Sequence, residues 1–220
     1  MKINIPGFLW KKGTVIKIQP KGVDRKSSEQ LETEERLKQK SSAALVESIN
    51  DKDPFVRSVG IEVLGRLRDK NSVLPLLAAL KDPSKYVREK AVIALGHIGD
   101  KRAVGPLIEA LEDESEEVRV TSAGVLGHLK DRLAVPALIK ALQDPSPITR
   151  MKASISLGII KDPAAVTPLY NALKDENEMV RKYACEALGN IGRPAVSALL
   201  LALRDDRVRA HAAQAMVKIK

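Results

Sequence analysis

The side chains best suited to chemistry in this 220-residue sequence are three histidines and a single cysteine. His97 and His128 lie 31 residues apart, and imidazoles at a regular spacing could serve a metal site. A bound zinc ion, however, usually takes four ligands at about 2.0–2.3 Å, and the positions a further 31 residues away hold Arg66 and Ile159. Cys185 has no nearby histidine in the sequence to activate it as a nucleophile. We therefore predict no catalytic residue, no metal and no cofactor.

Aspartates recur at regular intervals and resemble, at first sight, the paired carboxylates of an acid–base site. They recur together with arginines, so two structural roles account for them: capping helix N-termini and forming Asp–Arg ion pairs between successive segments of the chain. We predict that these carboxylates are structural. The aspartates are Asp51, Asp82, Asp113, Asp144, Asp175 and Asp205, and the arginines are Arg57, Arg88, Arg119, Arg150, Arg181 and Arg209.

The elements that position these residues repeat every 31 residues. A Val-Arg pair recurs from Val56 to Val180 at this step, with Thr149-Arg150 as a variant, and appears once more 28 residues later at Val208. A Leu-Gly pair keeps the same step from Leu64 to Leu188. The apolar spacing predicts two helices per copy, a first helix running from Val-Arg past Leu-Gly and a shorter second helix after it. Because such a pair cannot bury its apolar faces alone, the copies must stack.

The predicted fold is therefore all-α, a right-handed α-solenoid of two-helix repeats with a period of about 31 residues. Only six residues are aromatic, so the core must consist of Leu, Ile, Val and Ala. The glycine of each Leu-Gly pair lies inside a helix, where it costs about 1 kcal/mol relative to alanine. Its recurrence predicts a close approach between helices that a side chain would block.

The repeat resembles the short HEAT-like repeats named after phycobilisome lyases, over about residues 41–220. Members of that family act as scaffolds, chromophore lyases and metal hydroxylases, so the resemblance specifies the fold more sharply than the function. The hydroxylases bind metal through His-Glu doublets. Here Ile98, Leu129 and Ala212 follow the three histidines, so the resemblance does not imply that activity.

The predicted organisation has two parts, a basic N-terminal extension at residues 1–28 and the solenoid at residues 29–220. The solenoid comprises an N-terminal cap (29–50, beginning with a polar helix), five full repeats (51–204) and a C-terminal capping helix (205–220). The extension holds seven basic residues and one acidic residue, and residues 14–18 alternate like a short strand. Phe8 and Trp10 are candidate anchors for a partner. The alternatives are a tail that folds over the first repeat, a weak contact with a membrane surface and plain disorder.

The surface predicted to bind a partner is the solvent-facing side of the second helices, which the resemblance implies to be concave. Its residues vary between copies while the core repeats. The solenoid from residue 41 has 27 basic and 23 acidic residues, and this surface has no aromatic side chain, so nucleic acid is disfavoured as a partner. The predicted binding residues are Lys81, Lys101, Arg102, Glu109, Arg132, Leu133, Lys140, Asn171, Lys174 and Arg204.

The function predicted from the sequence is a non-enzymatic scaffold, adaptor or assembly factor that binds another protein in the cytoplasm. The single cysteine suits a reducing compartment, and no segment resembles a signal peptide or a transmembrane span. Two alternatives remain open: an auxiliary subunit of a phycobilin lyase, and a nucleic-acid-binding protein of the HEAT-like type.

Overall fold

A computed structural model describes residues 8–11, 14–17 and 44–219. The chain divides into two units, Met1–Ser41 and Ser42–Lys220. In the first unit, strand β1 (Phe8–Lys11) pairs antiparallel with strand β2 (Thr14–Lys17), and Leu9 lies opposite Ile16 in the register. The short strand predicted near residue 14 is thereby confirmed. The polar helix predicted within residues 29–40 lies outside the described residues.

The second unit is a stack of helices that follows the predicted repeat. Residues 44–48 are helical. Five first helices of 14 residues then alternate with shorter second helices, each second helix is preceded by a 3₁₀ turn, and one more helix completes the described stack. The first helices are α1 (Pro54–Leu67), α3 (Lys85–Ile98), α5 (Glu116–Leu129), α7 (Pro147–Ile160) and α9 (Glu178–Ile191); the second helices are α2 (Val73–Ala79), α4 (Val104–Glu109), α6 (Val135–Ala141), α8 (Val166–Ala172) and α10 (Val196–Ala202); the final helix is α11 (Arg209–Val217).

The turn inside each of the first four repeats is built from a left-handed residue followed by a capping aspartate. Gly99 closes α3 with a φ of 72°, as predicted, and its backbone N–H donates to the Leu95 carbonyl. Arg68, Lys130 and Lys161 hold the same left-handed position in other repeats. Asp100 then accepts the backbone N–H of Arg102 at 2.9 Å and caps the following 3₁₀ turn. The all-α repeat fold predicted from the spacing is confirmed.

The core between the two helix layers is aliphatic. Within residues 44–219 no aromatic side chain is fully buried. The leucine of every Leu-Gly pair is inaccessible to solvent, and so is one leucine from each second helix. These residues are Leu64, Leu95, Leu126, Leu157 and Leu188 on the first helices and Leu76, Leu107, Leu138, Leu169 and Leu199 on the second helices.

The Leu-Gly glycines let successive first helices pack against each other. A Cβ atom added to Gly65 would lie 2.6 Å from the Cα atom of Ala94, and one added to Gly158 would lie 2.7 Å from the Cα atom of Ala187. Both distances are far below the normal carbon–carbon contact of about 3.5–4.0 Å. The predicted close approach is therefore found between the first helices of neighbouring repeats.

The predicted Asp–Arg pairs form a ladder along the stack. In each of four rungs the arginine Nε and one terminal nitrogen donate to the carboxylate of the next repeat, and the other terminal nitrogen donates to two backbone carbonyls of its own repeat. Each of these charge-assisted contacts has two hydrogen bonds to one carboxylate, and together they connect neighbouring repeats. The Nε–Oδ2 distances are 2.7 Å for Arg57–Asp82, 2.8 Å for Arg88–Asp113, 2.7 Å for Arg119–Asp144 and 2.7 Å for Arg150–Asp175.

The last rung is missing. Arg181 donates to the carbonyls of Asp175 and Glu176, but its buried Nε has no hydrogen-bond partner among the described residues. Asp205 instead accepts hydrogen bonds from the side chain of Arg207 at 3.2 and 2.9 Å. The shorter spacing of 28 residues at this junction accompanies the loss of the rung.

Candidate functional site

The histidines and the cysteine that could take part in chemistry do not form a catalytic site in the described part of the chain. His97 and His128 are exposed near the C-terminal ends of α3 and α5. Residues 44–219 contain no group of three or more histidine, cysteine, aspartate or glutamate side chains placed to hold a metal ion. Cys185 is fully buried in α9, and this burial raises the pKa of its thiol to about 11. That thiol is therefore protonated and inert near neutral pH.

The ten residues predicted to bind a partner are all exposed. They lie on the second helices, in the 3₁₀ turns that precede them, or directly after these helices. Several already have an ionic partner: Lys140 pairs with Glu112, and Arg102 lies 2.9 Å from the carboxylate of Asp100. The side of the stack on which these ten residues lie is called the second-helix face below. Its role in binding stays a prediction.

Open clefts separate neighbouring second helices. A cleft of about 400 Å³ lies between α4 and α6, where Ile108 and Ala137 form part of its walls and Lys140 its rim. Similar clefts of about 460 Å³ and about 380 Å³ lie between α2 and α4 and between α6 and α8. The second helices are thus less closely packed against each other than the first helices, which touch at their glycines.

The first helices carry a row of exposed side chains that runs along the stack. The row occupies the position directly before each Val-Arg pair or its variant, near the start of each first helix. Four of its five members are large and apolar or aromatic, although solvent reaches them. The members are Phe55, exposed to 72%, Tyr86 to 67%, Glu117 with its side chain exposed to 54%, Ile148 to 48% and Met179 to 44%. We call these five residues the first-helix row.

The middle of the first-helix row is charged. Glu117 accepts a hydrogen bond from the Ser115 hydroxyl at 2.6 Å and pairs with the Lys85 ammonium at 2.9 Å. These two contacts, the hydrogen bond from Ser115 first, lower the pKa of Glu117 to about 2. The Lys85 ammonium also lies 5.5 Å from the ring centre of Tyr86. The row therefore presents two apolar ends around one carboxylate that is ionised near neutral pH.

The sequence prediction missed the first-helix row because, within the solenoid, it placed binding residues only on the second helices. A signal was present. Phe55, Tyr86, Ile148 and Met179 share one position of the 31-residue repeat, next to a Val or Thr but off the core stripe of the helix. Large apolar residues at a position that the helical period assigns to solvent indicate an interaction surface.

The N-terminal anchor candidates, Phe8 and Trp10, lie in β1. None of the helices in the described part of the chain combines the length and the apolar character needed to cross a bilayer.

Comparison with known proteins identifies the repeat. The sequence profile of HEAT repeats matches residues 41–114, 104–175 and 136–217. No curated protein sequence matches the chain. Among solved structures, the complex of CpcE and CpcF of phycocyanin lyase from Nostoc sp. PCC7120 is 25% identical with a TM-score of 0.62, and the match covers 79% of this chain and 75% of that chain.

Two designed proteins have similar folds. A designed armadillo repeat protein in complex with the peptide (KR)4 is 21% identical with a TM-score of 0.61, covering 80% of this chain and 98% of that chain. An engineered protein is 19% identical with a TM-score of 0.59, covering 81% and 96% of the two chains. At these identities the likeness concerns the fold alone.

Proposed function

Because the chain belongs to the HEAT-repeat family, we propose that it is a non-enzymatic cytoplasmic scaffold that binds another protein through the first-helix row. The observation that carries this proposal is the set of four exposed apolar side chains at one position of four repeats. Single exposed apolar residues are ordinary on protein surfaces. A line of them along one face is typical of protein–protein interfaces, where aromatic residues and methionine are enriched.

Helix packing also distinguishes the first-helix row from the second-helix face. The first helices touch at their glycines, whereas clefts open between the second helices. The closely packed first helices hold the row positions at a fixed spacing, and a preorganised surface loses less entropy on binding. The second-helix face remains the second candidate surface.

The experiment that tests the proposal compares the two faces in the full chain. The tagged protein captures partners from a native lysate treated with nuclease, so that bridging nucleic acid is removed. One variant replaces the four apolar members of the first-helix row with serine, and the control variant carries Lys140→Glu and Lys174→Glu on the second-helix face. Substitutions of exposed side chains change stability little, by about 0.5 kcal/mol each, and circular dichroism checks the helix content.

Each outcome of this comparison assigns the site. Loss of the captured protein in the serine variant alone supports the first-helix row. Loss in the lysine variant alone moves the site to the second-helix face and overturns the row. If both variants keep the partner, deletion of residues 1–28 tests the N-terminal segment that holds Phe8 and Trp10. A partner released by nuclease would indicate a nucleic-acid-binding protein.

The alternative function is an auxiliary subunit of a phycobilin lyase. The similarity to the CpcE–CpcF complex favours this role, since that structure is a complex of two proteins of a phycocyanin lyase. Such a role requires a second subunit and a bilin substrate. Visible absorption of the captured complex tests it, because a covalently bound or carried bilin absorbs where protein does not. A colourless complex would contradict the lyase role.

A further inference from the structure

Glu117 distinguishes the first-helix row from a uniformly apolar strip. It stands in the third repeat, with Phe55 and Tyr86 on one side along the stack and Ile148 and Met179 on the other. Its side chain is about half exposed, so a partner that covers the four apolar residues also covers this carboxylate. The row then becomes a site with one charge between two apolar pairs.

The helix does not require a carboxylate at this position. Glutamate in the first turn of a helix interacts favourably with the helix dipole, and this is the structural explanation for Glu117. The four other first helices, however, have Phe, Tyr, Ile or Met at the same position and begin normally. The charge is therefore specific to the middle repeat, where Glu117 pairs with Lys85 and still exposes about half of its side chain.

The contacts within the protein leave Glu117 able to accept more hydrogen bonds. Its Oε1 accepts from the Lys85 ammonium and its Oε2 from the Ser115 hydroxyl. An ionised carboxylate can accept about four hydrogen bonds. Because about half of the side chain faces solvent, the remaining positions are open to an incoming donor.

Covering this carboxylate without supplying a new partner is unfavourable. A buried charge that loses its water and gains no hydrogen bond loses its solvation energy. An apolar partner alone would therefore be rejected at the middle of the row, which is how charges in interfaces provide specificity. A cation placed there replaces the lost water and adds a charge-assisted contact.

We propose that the first-helix row binds a protein segment in which a lysine or arginine, placed to pair with Glu117, lies between two groups of large apolar side chains. The apolar groups contact Phe55 and Tyr86 at one end and Ile148 and Met179 at the other. The inference rests on the proposed function, since it names the chemistry of the partner at the same face. Segments without a cation at this place are expected to bind the row more weakly.

The test uses a displayed library of random linear peptides as the probe and the full chain as the target. Peptides are selected in parallel on the wild-type protein, on the charge reversal Glu117→Lys and on the matched control Glu176→Lys, which reverses an exposed glutamate in the turn before α9, outside both candidate surfaces. Selected peptides are then synthesised, and their affinity is measured by fluorescence anisotropy. Glu117→Gln provides a second variant that removes the charge without placing a second cation beside Lys85.

The expected result is a reciprocal change of charge preference. Peptides selected on the wild type contain apolar residues around a lysine or arginine, and they bind Glu117→Lys at least about tenfold more weakly, since like charges in an interface repel. Replacing that basic peptide residue with glutamate restores binding to Glu117→Lys. Glu176→Lys binds like the wild type, and Glu117→Gln lies between the wild type and the reversal.

The failures of the two proposals are distinguishable. If selected peptides lose affinity when the four apolar row residues become serine, but bind Glu117→Lys as tightly as the wild type, the row is the site and the inference about charge is wrong. If the serine variant binds them unchanged, the row is not the site and both proposals fail. Failure to select any peptide on the wild type also overturns both.

Discussion

Gly127 in α5 provides a direct test of how the stack is held together. A Cβ atom added there would lie 2.6 Å from the Cβ and 2.8 Å from the Cα of Ser156 on α7. Rotation of a side chain cannot relieve a clash with a Cα atom, so Gly127→Ala must push α5 and α7 apart. Ser156 is buried, and its hydroxyl donates to the Ala123 carbonyl of α5 at 2.7 Å, so the same movement stretches this hydrogen bond.

The expected cost follows from three contributions. Overpacking a buried contact destabilises by about 1–3 kcal/mol, and a weakened buried hydrogen bond adds about 1 kcal/mol. The better helix propensity of alanine returns about 1 kcal/mol. We therefore expect Gly127→Ala to lower the free energy of unfolding by about 1–3 kcal/mol.

The matched control is Gly124→Ala, three residues earlier in the same helix. A Cβ atom at Gly124 meets nothing within 4 Å. This substitution should therefore show the helix-propensity gain alone and stabilise the protein by up to about 1 kcal/mol. Guanidinium denaturation followed by far-UV circular dichroism measures both variants. If Gly127→Ala were as stable as Gly124→Ala, the first helices would not pack at their glycines and the reasoning would be refuted.

Three further predictions concern the ladder and the buried hydroxyls. Arg119→Met should lower the free energy of unfolding by about 2–4 kcal/mol because it leaves a largely buried carboxylate without its partner. Arg181→Met, where the rung is missing, should lower it clearly less. Equal losses in denaturant titrations would argue against the ladder. Ser122→Ala should stabilise the protein by about 1 kcal/mol, since the buried Ser122 hydroxyl has no partner within the described residues. Ser154→Ala loses a hydrogen bond to the Arg150 carbonyl and should not stabilise the protein. The denaturation midpoints of the two variants test this difference. The free energy of unfolding should be constant between about pH 5 and pH 8 and fall below about pH 4, as denaturant midpoints across this range would reveal.

The sign of the pH prediction follows from the ladder aspartates. Burial opposes their ionisation, but hydrogen bonds from the paired arginine and from a backbone N–H outweigh it, so the pKa values of Asp82, Asp144 and Asp175 lie below their ordinary value. Between these lowered values and the ordinary value of about 3.9, the unfolded chain binds more protons than the folded chain. Acid therefore favours unfolding in this range. Stability independent of pH down to about pH 2 would contradict the assignment.

Much of the fold was predictable because local and repeated signals encode it. The Leu-Gly spacing marks both the buried leucine and the close contact of first helices, and the structure confirms both. The turn at Gly99 and Asp100 was equally readable, since a left-handed position followed by a capping aspartate has a distinctive sequence. In other repeats Arg68 and Lys130 hold the left-handed position, and their residue types do not predict that conformation.

The candidate site was less predictable because residue type alone does not separate an exposed apolar side chain from a buried one. Ile148 and Thr149 are neighbours, yet Ile148 is exposed and Thr149 is fully buried. Only the phase of the helix relative to the core distinguishes them, and one residue of error reverses the assignment. The broken rung at Arg181 was also hidden. The short junction was visible in the spacing, but the capture of Asp205 by Arg207 depends on three-dimensional geometry.

The final helix has no glycine at the position where the first helix of every full repeat has one. Counting 28 residues from Gly189 leads to Val217, so a β-branched residue stands where every full repeat has glycine. Gly189 packs against Ala215 of α11, since a Cβ atom added to this glycine would lie 3.0 Å from the alanine Cβ, whereas Val217 is exposed to 86%. A valine side chain at this position would hold another first helix away from the spacing found inside the stack. The valine in place of glycine thus gives α11 a packed side toward α9 and an opposite side that is unsuited to packing of the same kind; the capping role expected for residues 205–220 stays a prediction.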